Sequence, residues 1–161
     1  MSIKKAYFAG GCFWGIEYFF QKINGVKSVI SGYMGGHIEN PTYQIVCSGF
    51  SGHLEAVEVT FDENIISFEE LAKLFFEIHD FTQINGQGPD IGTQYLSAIF
   101  YVDEEQKDIS EKLILQLKNK GFKVATTLYE KSIFYKAEEY HQNYYERHQK
   151  VHYCHSYKKI F

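Results

Sequence analysis

Apolar positions along this chain recur in two rhythms, one of a strand and one of a helix. Residues 3–9, IKKAYFA, predict a strand that ends at Gly10-Gly11. FWGIEYFFQKI, from Phe13, carries apolar residues on one helical face and ends near Asn24-Gly25. VKSVISGY (26–33) and EAVEVTFD (55–62) predict strands, with a glycine-rich loop over 35–53 between them. Ser67 and Glu70 form the capping-box spacing that opens a helix over FEELAKLFFEIH. YLSAIFYV (95–102) predicts a strand running into a helix from Asp103 to Lys120, which Gly121 stops. KVATTLYE (123–130) is the next expected strand, and KAEEYHQNYYERH (136–148) the last expected helix. The order βαββαβαβα predicts an α+β two-layer sandwich. It has a ferredoxin-like βαββαβ core, and a mixed sheet carries its helices mainly on one face.

No repeat or Pro/Ser-rich linker interrupts the 161 residues, so one catalytic domain over 1–161 is expected, with 149–161 a mobile C-terminal tail. A loop of nearly twenty residues at 35–53 is long for a compact domain and is a candidate functional segment. The net charge of −4 gives no pull toward nucleic acid or anionic lipid. No apolar run is long enough to span a bilayer, and the first residues are too quickly broken by glycine to form a secretory signal. A cytoplasmic monomer is expected. The three cysteines, Cys12, Cys47 and Cys154, are an odd number. In a reducing compartment that argues against a disulfide framework and leaves thiol chemistry or metal binding open.

The stretch GGCFWG places Cys12 between a diglycine and the only tryptophan. At a strand-to-helix turn, free N–H groups and the positive end of the helix dipole would face the sulfur and favour the nucleophilic thiolate. Gly10 and Gly11 permit a sharp turn and close approach of a substrate, and Phe13 and Trp14 offer a methyl group an apolar neighbour. A buried, inert cysteine among core aromatics fits this stretch equally well. Glu55 is in the same position: it is either an outward-facing strand residue or an acid kept neutral by aromatic surroundings.

GGCFWGIE resembles the signature of the methionine sulfoxide reductase A family, the peptide-methionine (S)-S-oxide reductases. GYMGGHIENPTYQIVCSGFSGHLEAVEVTFD (32–62), GPDIGTQYLSAIFY (88–101) and AEEYHQNYY (137–145) resemble further blocks of that family, in the same order. The resemblance runs from about residue 4 to residue 154. It implies thiol-dependent reduction of methionine S-sulfoxide, free or in oxidised proteins, and hence protein repair. Cys12 would be the nucleophile that becomes a sulfenic acid and Glu55 the general acid. Tyr43 and Tyr95 would donate to the sulfoxide oxygen and Asp90 would hold a water or a donor. Phe13, Trp14, His141 and Tyr144 would bind substrate, with His53 and Gln94 in support. Cys154 would resolve the sulfenic acid as a Cys12–Cys154 disulfide, reduced by thioredoxin or another dithiol such as dithiothreitol. Cys47 would stand outside this relay, and no bound cofactor or metal is implied. Gly86 and Leu96 stand where relatives often carry arginine.

Two other chemistries fit parts of the pattern. Cys12 with His53 or His141 could form an acyl-transfer triad. Cys154, His148, His152 and His155 cluster near the C-terminus, although their spacing fits no familiar zinc framework. A carbohydrate-binding surface would account for the tyrosines and not for a cysteine at a helix start.

Overall fold

The computed structural model describes residues 2–148 and 155–161. Four strands form the centre of the sheet: β1 (Ile3–Gly10), β2 (Val26–Met34), β3 (Leu54–Asp62) and β6 (Ser97–Tyr101). They lie in the order β6-β1-β3-β2, every neighbour antiparallel. With α1 (Phe13–Gln21) crossing from β1 to β2 and α3 (Phe68–Glu77) from β3 to β6, this is the expected ferredoxin-like core. After α4 (Glu104–Asn119), β7 (Thr127–Glu130) adds in parallel to β6, which makes the sheet mixed. The short β8 (Tyr135–Lys136) pairs with the other edge, and β4 (Gly86–Gln87) with β5 (Asp90–Ile91) makes a separate small hairpin.

Period-two alternation decides which side chains meet the helices. Ala6 and Phe8 of β1 and Val57, Val59 and Phe61 of β3 point into the helix-side core, while Tyr7, Ala9, Leu54 and Ala56 form a smaller cluster on the far face. Phe8 is stacked with Phe20 of α1 and Phe75 of α3, centroids 5.0 Å apart in both pairs. Each such ring contributes roughly 1.5–3 kcal/mol on burial. The helix starts follow their sequence signals. Ser67 and Glu70 complete the capping box of α3, and Asp103 accepts from the Gln106 N–H at the start of α4.

The structure departs from expectation in several places: β6 begins at Ser97, with Tyr95 in a 3₁₀ turn (Thr93–Tyr95), and β7 begins only at Thr127. Residues 35–53 include a short helix, α2 (Tyr43–Cys47), capped by Thr42. The predicted final helix over 136–148 is replaced by β8, one 3₁₀ turn (Glu139–His141) and the short α5 (Tyr144–His148). Its cause is tertiary. The Gln142 side chain donates to Ser31 O and Ala137 O and accepts from Ser31 N, and Asn143 takes a left-handed φ of 53°, which ends any helix.

Of the expected tail, residues 149–154, with Cys154, lie outside the described residues. Residues 155–161 are docked. The Glu77 carboxylate accepts from Ile160 N (2.9 Å) and Phe161 N (3.2 Å), and its carbonyl accepts from Lys158 N (2.8 Å). At the other end His155 is buried, with Nε2 donating to Gly10 O at 2.7 Å and the ring laid on the bare Cα of Gly15. A Cβ at residue 15 would overlap that ring. Gly15→Ala is therefore expected to lower Tm and expose the C-terminus to carboxypeptidase. Overpacking costs about 1–3 kcal/mol, more than the ~1 kcal/mol that alanine gains over glycine in a helix. An unchanged Tm with an undigested tail would contradict this docking.

Candidate active site

Cys12 is the N-cap residue of α1, where β1 ends, and is 8% exposed. Gly11 makes the turn possible: its φ is +95° and its Cα lies against Gln87, leaving no room for a side chain. Gln87 is fixed in turn, accepting from Asp80 N (2.7 Å) and donating to Asp80 O (2.9 Å), so the hairpin that carries Asp90 is held beside the Cys12 turn. Gly86 belongs to the same packing, because a Cβ there would run into the Asp90 backbone. An arginine could not occupy residue 86 without moving the hairpin.

Glu55 shares the helix-side face of β3 with Val57 and Val59, opposite Tyr33 of β2 in the sheet register. It is 1% exposed, which removes the outward-facing alternative. One carboxyl oxygen accepts from Phe13 N at 3.2 Å, the first free N–H of α1, while Oε2 is buried without a partner. Burial pushes the acid up to about 8, the Phe13 bond works against that rise, and the charge of Asp90 adds to it. Near neutral pH the group is a carboxylic acid with a proton to give, one residue from the thiol.

Tyr43 and Tyr95 face the same acid. Both phenols are raised chiefly by burial; Tyr43 also hydrogen-bonds Cys47, and Tyr95 feels Glu55, Cys47, Asp90 and Cys12. They are therefore neutral donors at any physiological pH. Tyr43 owes its position to Glu138, whose carboxylate accepts from Tyr43 N (3.0 Å) and the Tyr33 hydroxyl (2.8 Å). Burial opposes that anion, but the Tyr43 N–H, Glu138's own N–H, the Tyr33 hydroxyl and the charge of His141 together hold Glu138 below the usual carboxylate range. Sequence reasoning missed Glu138 and Tyr33; their one signal was membership of the matched blocks 137–145 and 32–62.

The apolar wall is made by Phe13, Trp14, Tyr43, His141 and Tyr144. Trp14 stacks on Tyr144 with centroids 3.7 Å apart, and Tyr43 lies 4.4 Å from the His141 ring. The Trp14 indole N–H donates to His141 Nδ1 at 3.0 Å. An indole nitrogen only donates, so Nδ1 is bare and the proton of a neutral imidazole sits on Nε2, which is buried without a partner. Burial also pushes the His141 pKa down, with Glu138 opposing. His53 is likewise committed: Nδ1 accepts from Gly36 N (3.1 Å) and Nε2 donates to Ile38 O (2.7 Å), pinning the 35–53 loop. Neither imidazole is available as a base toward Cys12, so the acyl-transfer reading fails. Gln94 is buried in the 3₁₀ turn that carries Tyr95. Among the described residues no three metal-ligating side chains cluster. His155 is instead bonded to Gly10 O, and His152 and Cys154 lie outside the described residues.

Cys47 is exposed at the rim. Partial burial and the charges of Glu55 and Glu138 push its thiol up, against the Tyr43 hydrogen bond. A thiol held in its protonated form is a weak nucleophile.

A thiol at a helix start, a neutral buried acid, two phenolic donors and an aromatic wall on a ferredoxin-like sandwich define a thiol-based oxidoreductase site. The family profile described as peptide methionine sulfoxide reductase matches residues 4–160. The chain belongs to that family. It is 51% identical over 150 residues to the peptide methionine sulfoxide reductase MsrA of Nautilia profundicola, covering 93% of this chain and 87% of that protein. With the protein of the same name from Saccharolobus solfataricus it shares 49% over 146 residues, covering 90% and 82%. Among solved structures, reduced Mxr1 of Saccharomyces cerevisiae superposes with a TM-score of 0.88 at 33% identity, covering 95% of this chain and 90% of that one. Methionine sulfoxide reductase A of Corynebacterium diphtheriae gives 0.83 at 34%, covering 95% and 78%.

Proposed function

We propose that this chain reduces methionine S-sulfoxide with Cys12 as nucleophile and Glu55 as acid. The observation that carries the reading is the buried, neutral Glu55 carboxyl bonded to the amide that follows Cys12. The thiolate attacks the sulfoxide sulfur while Glu55 protonates the departing oxygen, and Tyr43 and Tyr95 donate to the charge building there. The oxygen ends on Cys12 as a sulfenic acid, and the methionine sulfur leaves reduced by two electrons. Phe13 and Trp14 hold the methyl group, Tyr144 and the His141 Nε2–H serve the rest of the substrate, and Asp90 holds a water or a donor in place.

Cys154 then condenses with the sulfenic acid, releasing water and forming a Cys12–Cys154 disulfide. A dithiol, thioredoxin in the cell and dithiothreitol in the tube, takes up the oxidation and restores both thiols. Yeast Mxr1 has been solved in complex with Trx2, and a thioredoxin is the reductant proposed for this chain. No helix among the described residues is long and apolar enough to cross a membrane. The reducing cytoplasm is the compartment that supplies such a cycle.

The test uses thioredoxin with separate S- and R-sulfoxide peptides. Wild type and Cys47→Ser are expected to turn over the S epimer only. Cys154→Ser is expected to release one equivalent of methionine per enzyme and then stop. Equal use of both epimers, or continued thioredoxin-dependent turnover in Cys154→Ser, would overturn the scheme.

A further inference from the structure

The aromatic wall depends on residues 137–145, a stretch with little regular structure, and so on whatever holds that stretch against α1. One anchor is not accounted for by the chemistry above. Glu17 lies one turn along α1 from Phe13 and Trp14 and is 1% exposed. Its carboxyl accepts from the backbone N–H groups of Asn143 and Tyr144, at the point where the left-handed Asn143 turns the chain. The other oxygen, Oε2, is buried without a hydrogen bond, and the Ser31 hydroxyl near the carboxyl favours its charged form, against burial. None of the ion pairs of the described residues involves Glu17. A buried carboxyl lacking a cation is costly, and burial pushes this one up to about 7. Such a group is costly for packing and is well suited to one task, accepting two adjacent backbone N–H groups from a single point.

We propose that Glu17 is a positioning residue for sulfoxide binding: by capping the amides of Asn143 and Tyr144 it fixes the Tyr144 ring on Trp14. That stack in turn sets where the indole meets His141, and so the width of the methyl pocket. The inference rests on the reading of Phe13, Trp14, His141 and Tyr144 as the substrate wall. It makes a chemical distinction. The task needs an acceptor oxygen and not a proton, so glutamine serves as well as glutamate. Its amide nitrogen could also donate to the Ser31 oxygen.

Trp14, the only tryptophan of the chain, reports on the wall directly. In Glu17→Ala and Glu17→Asp, Trp14 emission is expected to shift to the red and become more open to acrylamide quenching. KM for an S-sulfoxide peptide is expected to rise roughly tenfold, with the single-turnover rate at saturation falling less than about threefold. Glu17→Gln is expected to match wild type in emission, KM and rate. Should Glu17→Ala fail to fold, Glu17→Asp keeps the charge and withdraws the acceptor by one methylene, and it carries the test. Wild-type emission and KM in Glu17→Asp would overturn the proposal. So would an emission shift with no change in KM, or a Glu17→Gln enzyme as impaired as the alanine variant. If wild type itself reduced no sulfoxide, the proposed function would fall, while the emission series would still decide what Glu17 holds in place.

Discussion

Cys12→Ser is expected to abolish methionine formation, lowering the single-turnover rate by on the order of 10⁴-fold or more, and to leave the fold at least as stable. Both halves follow from one position. Cys12 occupies the N-cap of α1 without making a side-chain cap bond. Sulfur therefore gives the helix little, and a serine oxygen there is among the best cap acceptors, worth about 1 kcal/mol over a residue that does not cap. Thiolate chemistry is lost entirely, since a serine hydroxyl is neither anionic near neutral pH nor able to carry the sulfoxide oxygen as a sulfenic acid. The measurement pairs prereduced enzyme and S-sulfoxide peptide with a sulfenic-acid trap and a thermal melt. A labelled adduct should appear on Cys12 in wild type and nowhere in the variant. Residual turnover within tenfold of wild type would mean that another group does the reduction.

The parts of the site that sequence makes legible are those that local rules build. A strand ending in diglycine, a cysteine and a helical apolar face specify the Cys12 turn without help from the rest of the chain. Glu55 has no such local signal. Period two puts it on the face of Val57 and Val59, but Leu54 and Ala56 are buried on the opposite face, so the end of β3 shows no polar side against which to read it. Glu58, by contrast, falls on the other parity, where it meets the Tyr7 hydroxyl at 2.7 Å. The region after residue 136 departs from its sequence pattern for a different reason. Its composition suits a helix, but Glu138, Gln142 and Asn143 spend their hydrogen bonds on β2, α1 and α2. Contacts between a side chain and a distant backbone amide leave no trace in local periodicity. The docking of residues 158–161 on Glu77 is invisible to sequence for the same reason, because its donors are backbone N–H groups.

Glu55→Gln should slow the chemical step by roughly 10²–10⁴-fold, the usual contribution of a positioned general acid. Its pH behaviour distinguishes loss of a proton donor from loss of shape. Wild-type single-turnover rates should fall as pH rises through about 8, where burial has placed the Glu55 pKa, because ionisation removes the proton that the sulfoxide oxygen needs. The glutamine enzyme, with no proton to lose, should lack that alkaline limb. Stability should move the other way. The folded pKa lies above the unfolded value near 4.5, so the wild-type fold is fully favoured below 4.5 and loses stability as pH climbs toward 8. Glutamine avoids that loss while its oxygen still accepts from Phe13 N. It should therefore melt above wild type by a margin on the order of a few kcal/mol at pH 8, converging with it toward pH 4.5. An inactive enzyme more stable than its parent only at neutral and alkaline pH is the signature of an acid kept neutral by burial for the sake of the reaction. A glutamine variant that keeps the alkaline limb would instead assign that titration, and the acid, to another residue.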